Sequence, residues 1–158
     1  MDYIFHYDIA AILICIIVGG LFYSKKHIPS KSNRIFLCIG ALITTASLFD
    51  IISVYTLNHI DTIPVWLNYL INQIYFFTFN CTYIVYCIYI LLITERHKGK
   101  YGKILKVVNT VVLVYLIFVV ATTPWLRLIF YFEDNQYIQG PLHISLYAIA
   151  FMMLGGCI

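Results

Sequence analysis

Charged side chains are scarce in this sequence. Lys, Arg, Asp and Glu make up 11% of the 158 residues, and 62% of the residues are hydrophobic, whereas a soluble domain carries about a quarter charged residues. So little polar surface would not keep a water-soluble globule dispersed. The apolar residues fall in long runs and not in amphipathic stripes, so the sequence predicts that the protein lies in a lipid bilayer.

Sequence patterns of catalysis and ligation are also missing. The chain has no HExxH, phosphate-binding glycine loop, nucleophile elbow or GxGxxG, so we expect neither an enzyme nor a bound cofactor within it. It also lacks the dense basic stripe of a nucleic-acid-binding protein. Without CxxC or Cys/His spacing, we expect neither metal ligands nor disulfides among the five cysteines, which are Cys15, Cys38, Cys81, Cys87 and Cys157. The dispersed histidines are interpreted as solvated loop residues, namely His6, His27, His59, His97 and His143.

Hydrophobic runs predict four complete transmembrane helices, at about 4–23, 35–57, 65–93 and 104–123. Helices follow because backbone groups in hydrocarbon must be satisfied within their own segment. A fifth helix is predicted at about 142–158, at the short end of what spans a bilayer, and we interpret this ending as a truncation. The predicted fold is an all-α polytopic bundle that forms a single domain over residues 1–158.

An aromatic and acidic segment separates the fourth and fifth helices. The fourth helix is expected to stop near Pro124, and WLRLIFYFEDNQYIQGP then has two short runs around a Glu-Asp-Asn turn signal, which predicts a hairpin. We expect an ordered lid that lies on the outer membrane surface. Its candidate residues are Phe130, Phe132, Tyr137, Gly140 and Pro141.

Basic residues are distributed unequally along the chain. Nine of the ten Lys and Arg residues fall in or beside the loops after the first and third helices, and only Arg127 lies elsewhere. Because such loops remain in the cytoplasm, we expect a plasma-membrane protein with both basic loops inside and the N-terminus outside.

Asp50 is the one acid that lies deep within a predicted span. Ser47 and Ser53 lie three residues to either side of it on the same helix face. Because an unpaired carboxylate is costly there, we expect it to find a partner on the polar stripe of the third helix. The candidate partners are Asn72, Gln73, Asn80 and Tyr83. Two interpretations stay open, namely a site that responds to a ligand or proton and simple interhelical packing.

Two stretches of the chain have a familiar pattern, IPSKSNRIFLCIGALITTASLFDIIS and IFYFEDNQYIQGPLH. Both resemble parts of the N-terminal multi-helix sensor region of Gram-positive bacterial signalling proteins, which are GGDEF diguanylate cyclases, some with an EAL domain, or histidine kinases. The resemblance implies a sensory input region, further helices, a cytoplasmic output domain and a homodimer of the full-length protein. It also implies that Tyr137, Gly140 and Pro141 form a rigid turn at the outer mouth. The GGDEF motif itself is absent, so no cyclase activity is expected here.

The sequence is compatible with three functions. In the leading one, the helices of a sensor module shift on binding a small molecule and alter a downstream dimeric enzyme. The alternative is a small membrane transporter or transporter subunit that uses the polar faces of the second and third helices. Transporters more often show internal repeats or paired broken helices, and the sequence shows no such duplication. The third is a purely structural membrane subunit.

Overall fold

A computed structural model describes residues 6–24, 30–95, 99–133 and 136–156. In chain order these residues form α1 (His6–Ser24), α2 (Lys31–Asn58), α3 (Val65–Ile93), α4 (Lys100–Leu126), β1 (Phe130–Glu133), β2 (Gln136–Gln139) and α5 (His143–Gly156). The first four helices are each long and apolar enough to cross a membrane, and α5 is a shorter apolar helix. The predicted all-α bundle with a hairpin before the fifth helix is confirmed.

Successive helices α1 to α3 run antiparallel. Near the end of α1, the ring of Phe22 lies 5.3 Å from that of Phe36 at the start of α2, and Phe36 lies 6.1 Å from Tyr89 near the end of α3. At the opposite end, Ser53 of α2 bonds to Asn72 in the first part of α3. We call the first end the basic end and the second the hairpin end, because β1 and β2 pack there.

The second helix begins one turn before its apolar run. The prediction placed its start near residue 35, whereas α2 begins at Lys31. The hydroxyl of Ser30 accepts a hydrogen bond from the amide of Asn33 at 3.2 Å. This cap satisfies an amide that has no partner within the helix, so a polar first turn joins the apolar helix.

The fourth helix ends near Pro124, as predicted, but the proline lies inside the helix and does not terminate it. α4 continues to Leu126 with Pro124 inside it. Proline has no amide hydrogen, so the carbonyl of Val120, four residues earlier, loses its helical donor. Gln73 of α3 replaces that donor, because its Nε2 donates to the Val120 oxygen at 2.8 Å. A contact between helices therefore allows α4 to pass its proline.

Replacing Gln73 by leucine is expected to lower the free energy of unfolding by about 1–2 kcal/mol, because the Val120 carbonyl then has no donor. Pro124→Ala restores an amide at position 124, so in that background the cost of Gln73→Leu should fall towards zero. Unfolding of the four proteins in detergent micelles measures this double-mutant cycle. Equal costs in both backgrounds would show that Gln73 does not act through the proline.

The hairpin is packed firmly against α3. β1 and β2 pair antiparallel, with Phe130 opposite Gln139. Phe130 is fully buried, and its ring stacks on Tyr69 at 5.4 Å and on Phe76 at 5.8 Å. The amide of Phe132 donates to the Tyr69 hydroxyl at 3.4 Å. The expected ordered hairpin is confirmed, and aromatic rings of α3 hold it in place.

Threonine side chains in the helices bond mainly to their own backbone. Thr56 donates to the carbonyl of Ser53, three residues earlier, and in seven others the hydroxyl donates to the carbonyl four residues earlier, at 2.7–2.9 Å. Those seven are Thr44, Thr45, Thr78, Thr82, Thr110, Thr122 and Thr123. Such a bond satisfies the hydroxyl without a partner on another helix.

Two expectations for single residues are wrong. Cys87 is disulfide-bonded, whereas Cys15, Cys38 and Cys81 are free. Sequence spacing does not show which sulfur atoms the packing of different helices brings together. His143 is not a solvated loop residue, since it begins α5 and is only 8% exposed. Cys157, His27 and His97 lie outside the described residues.

Candidate functional site

The polar residues predicted from the sequence separate into distinct groups along α2 and α3. In the first group, the Ser53 hydroxyl donates to Asn72 Oδ1 at 2.9 Å, and Asn72 Nδ2 donates to the Asn68 carbonyl at 2.9 Å. Ser53 and Asn72 are each only 3% exposed. This chain of bonds connects α2 to α3 near the hairpin end. For Ser53 and Asn72 it is the interhelical packing that was one of the two interpretations of the sequence.

Two other predicted residues form hydrogen bonds that do not involve Asp50. Gln73 bonds to α4, as described above. Asn80 is buried, and its Nδ2 donates to the carbonyl of Phe76 within α3 at 3.0 Å. The polar residues of α3 therefore bond to α2, to α4 and within α3, and they do not form one cluster.

Asp50 interacts with a residue other than the four predicted on α3. The carboxyl of Asp8, in the first turns of α1, lies close enough to interact with it directly. The antiparallel arrangement explains this pairing, because the start of α1 and the last turns of α2 lie at the same end of the bundle.

Two tyrosines lie close to this carboxyl pair. The side chains of Tyr75 on α3 and Tyr147 on α5 interact with each other, and Asp50 interacts electrostatically with both. The ring of Phe79 lies 5.9 Å from Tyr75 and 5.7 Å from Tyr147. Four helices, α1, α2, α3 and α5, therefore contribute side chains to one region.

A cavity of about 310 Å³ adjoins this region. Its volume is at the lower end of the range of about 300–1,000 Å³ found for small-molecule sites. Its polar lining comes from Asp8, Ser47, Tyr75, Thr82, Tyr83 and Tyr86, and its apolar lining from Ile39, Ile43, Ala46, Phe79 and Leu154. Of the residues predicted around Asp50, the structure thus brings Ser47 and Tyr83 to the cavity.

Comparison with known protein families, curated proteins and solved structures finds no match for this chain. The resemblance to bacterial sensor regions therefore stays a prediction. Any function has to follow from the geometry of the site.

A continuous row of ring contacts connects the hairpin with this cavity. Phe130 of β1 stacks on Phe76, and the Phe76 ring lies 5.4 Å from His143. His143 in turn lies 5.4 Å from Tyr147, which contacts the cavity residue Phe79. The hairpin and the cavity thus share neighbours on α3 and α5.

The end of the hairpin is fixed by backbone contacts. The amide of Gly140 donates to the Ile129 carbonyl at 2.7 Å, and that of Leu142 donates to the Leu128 carbonyl at 2.8 Å. A Cβ atom on Gly140 would overlap the carbonyl oxygens of Arg127 and Leu128. Gly140 is therefore required for close approach of two backbone segments.

Several residues of this region were missed from the sequence. Asp8 lies near the start of the first predicted helix and was not singled out, and Tyr75 and Tyr147 lie in apolar, aromatic-rich runs where a tyrosine does not stand out. Asn68 did have a signal, because it precedes Asn72 by one helical turn. It is fully buried, and its side-chain amide has no hydrogen-bond partner among the described residues.

Proposed function

We propose that this chain is the membrane-embedded sensory input module of a bacterial signal-transduction protein, and that the cavity beside Asp8 receives its ligand. The observation that carries the proposal is the placement of this cavity. A single ligand there contacts α1, α2, α3 and α5 at once, and the ring row links the same region to the hairpin. The signal would pass to a cytoplasmic output domain.

The packing of α1 supports this mechanism. None of its described residues is buried, so a displacement of α1 breaks few core contacts. The carboxyl of Asp8 interacts with Asp50 of the more extensively buried α2. A ligand that binds one arrangement of these carboxyls better than another shifts the equilibrium between helix positions. Movement of α1 would then reach the basic end, on the side proposed to face the output domain.

Asp50→Asn tests the signalling role. Asparagine keeps the size and an acceptor oxygen, but it cannot gain or lose a proton. We expect the complete protein encoded by the gene to be expressed at its normal level, with an output that no longer responds to its signal. The output activity in cells, read with and without the signal, measures this. An unchanged response would assign Asp50 to packing alone.

A small transporter is the second candidate function, and the carboxyl pair favours it. Ionisable groups within a membrane segment often mark a path for protons or ions. Proteoliposomes that contain the purified chain and a pH-sensitive dye distinguish the two candidates. Proton flux that is lost in Asp50→Asn supports a transporter, and the absence of proton flux through the unaltered chain supports a sensor.

The proposal includes the orientation in the plasma membrane. With Cys15, Cys38 and Cys81 replaced by serine, a cysteine introduced at Asp61 should react with an impermeant maleimide on intact cells. A cysteine at Lys100 should react only after the cells are opened, because the basic loops lie inside. Strong labelling at Lys100 of intact cells would reverse the proposed topology.

A further inference from the structure

We infer that the cavity between α1, α2, α3 and α5 binds a small organic cation that carries one positive charge. The inference deepens the proposed sensor function, on which it rests, by naming the class of ligand. It depends on three properties of the lining, namely its charge, its rings and its apolar surface.

The charge of the lining selects against anions. Asp8 lines the cavity, and no Lys, Arg or His stands among the described lining residues. Its carboxyl is the one ionisable acid among those residues, so the described lining offers a single negative charge. Arg34 precedes the lining residue Ile39 on α2 by five residues, about 8 Å along the helix axis, and it lines a neighbouring cavity instead. A ligand with a single positive charge therefore matches the local charge.

The rings add a second mode of recognition. Tyr75, Phe79, Tyr83 and Tyr86 all line the cavity. The negative face of an aromatic ring attracts cations, and clusters of such rings bind ammonium groups in many proteins. An ammonium group placed between these rings and Asp8 would be held by both a carboxylate and π-systems.

The remaining lining decides between an organic cation and a metal ion. Ile39, Ile43, Ala46 and Leu154 offer hydrocarbon contacts that a metal ion does not use. Divalent metals such as Ca²⁺ take six or more oxygen ligands, and the described residues hold no group of three His, Cys, Asp or Glu side chains suited to a metal. A ligand with carbon substituents on its charged nitrogen satisfies both parts of the lining.

Binding to the purified 158-residue protein tests this inference. We would titrate choline, tetraethylammonium, benzyltrimethylammonium and phenethylamine by calorimetry in detergent, with 3,3-dimethyl-1-butanol as the uncharged counterpart of choline. We expect saturable binding of at least one cation. Where choline binds, its uncharged counterpart should bind at least about tenfold more weakly, since a tenfold ratio corresponds to the loss of one modest charge interaction. Failure of all four cations to bind, or equal binding of the uncharged counterpart of choline, overturns the inference.

Matched variants locate the bound cation. Asp8→Asn should weaken binding at least about tenfold, whereas Asp61→Asn, which removes an exposed carboxylate from the α2–α3 connection, should leave it unchanged. If Asp8→Asn does not fold, Thr82→Leu provides the same test by filling the cavity. Its control is Thr110→Leu on the exposed face of α4, because both hydroxyls bond only within their own helix at 2.9 Å. Binding that survives in the cavity variant places the cation elsewhere and overturns the inference.

These outcomes are separable from the signalling test. Cation binding by the purified chain together with an output of the complete protein that no bound cation changes would remove the sensor function and leave the ligand class intact. Loss of the response in Asp50→Asn without binding of any cation would remove the ligand class alone.

Discussion

Replacing Phe130 by alanine is expected to lower the free energy of unfolding by about 3–5 kcal/mol, as for other buried phenylalanines. The side chain is fully buried, and its ring contacts Tyr69, Phe76, Phe132 and Tyr137. Removing it leaves a cavity at the point where the hairpin joins α3. Chemical or thermal unfolding in detergent micelles, followed by circular dichroism, measures the loss.

The neighbouring residue gives a matched control. Tyr131 is only partly buried, and its ring lies 5.1 Å from the guanidinium carbon of Arg127. An exposed cation–π contact contributes about 0.5–1 kcal/mol, so Tyr131→Ala should cost far less than Phe130→Ala. Similar losses for the two variants would mean that the hairpin is not anchored by its buried face.

Gly140→Ala is expected to be the second most damaging change. A methyl group there would overlap carbonyl oxygens of two consecutive residues, Arg127 and Leu128. Because the obstacle is backbone and not a flexible side chain, the cost should reach or exceed the upper end of the about 1–3 kcal/mol typical of overpacking. We also expect faster proteolysis within the hairpin, since its end can no longer close against the segment after α4.

A glycine in open space supplies the control for this variant. A Cβ atom on Gly40 of α2 would meet nothing within 4 Å. Gly40→Ala should therefore be neutral or raise the free energy of unfolding by about 0.5–1 kcal/mol, because alanine is the better helix former. If Gly140→Ala is tolerated as well as Gly40→Ala, the backbone segments do not approach closely in solution.

Local patterns were sufficient to predict most of the fold. The third helix was predicted at 65–93, and α3 spans Val65–Ile93. The run of apolar residues between a proline and a charged loop determines both of its ends. The Glu-Asp-Asn turn signal likewise predicted the hairpin, because turn chemistry is encoded by adjacent residues.

The errors have a common physical cause, which is dependence on contacts between distant segments. The course of α4 past Pro124 depends on Gln73, and the partner of Asp50 depends on how α1 returns against α2. Helical periodicity places a residue on a face, but it does not show which helix packs against that face. The cavity could not be predicted from the sequence for the same reason, since its lining comes from four helices.

The threonine hydroxyls have a consequence for the surface that meets the lipid. Thr110 on α4 is exposed, and its hydroxyl is satisfied by the carbonyl of Lys106. Thr122, about three helical turns further along α4, bonds in the same way to the carbonyl of Phe118. With each oxygen turned towards its own backbone, the methyl group is the part of the side chain left for the acyl chains to touch. At these positions the lipid beside α4 therefore contacts hydrocarbon and needs no water to satisfy the threonine hydroxyl.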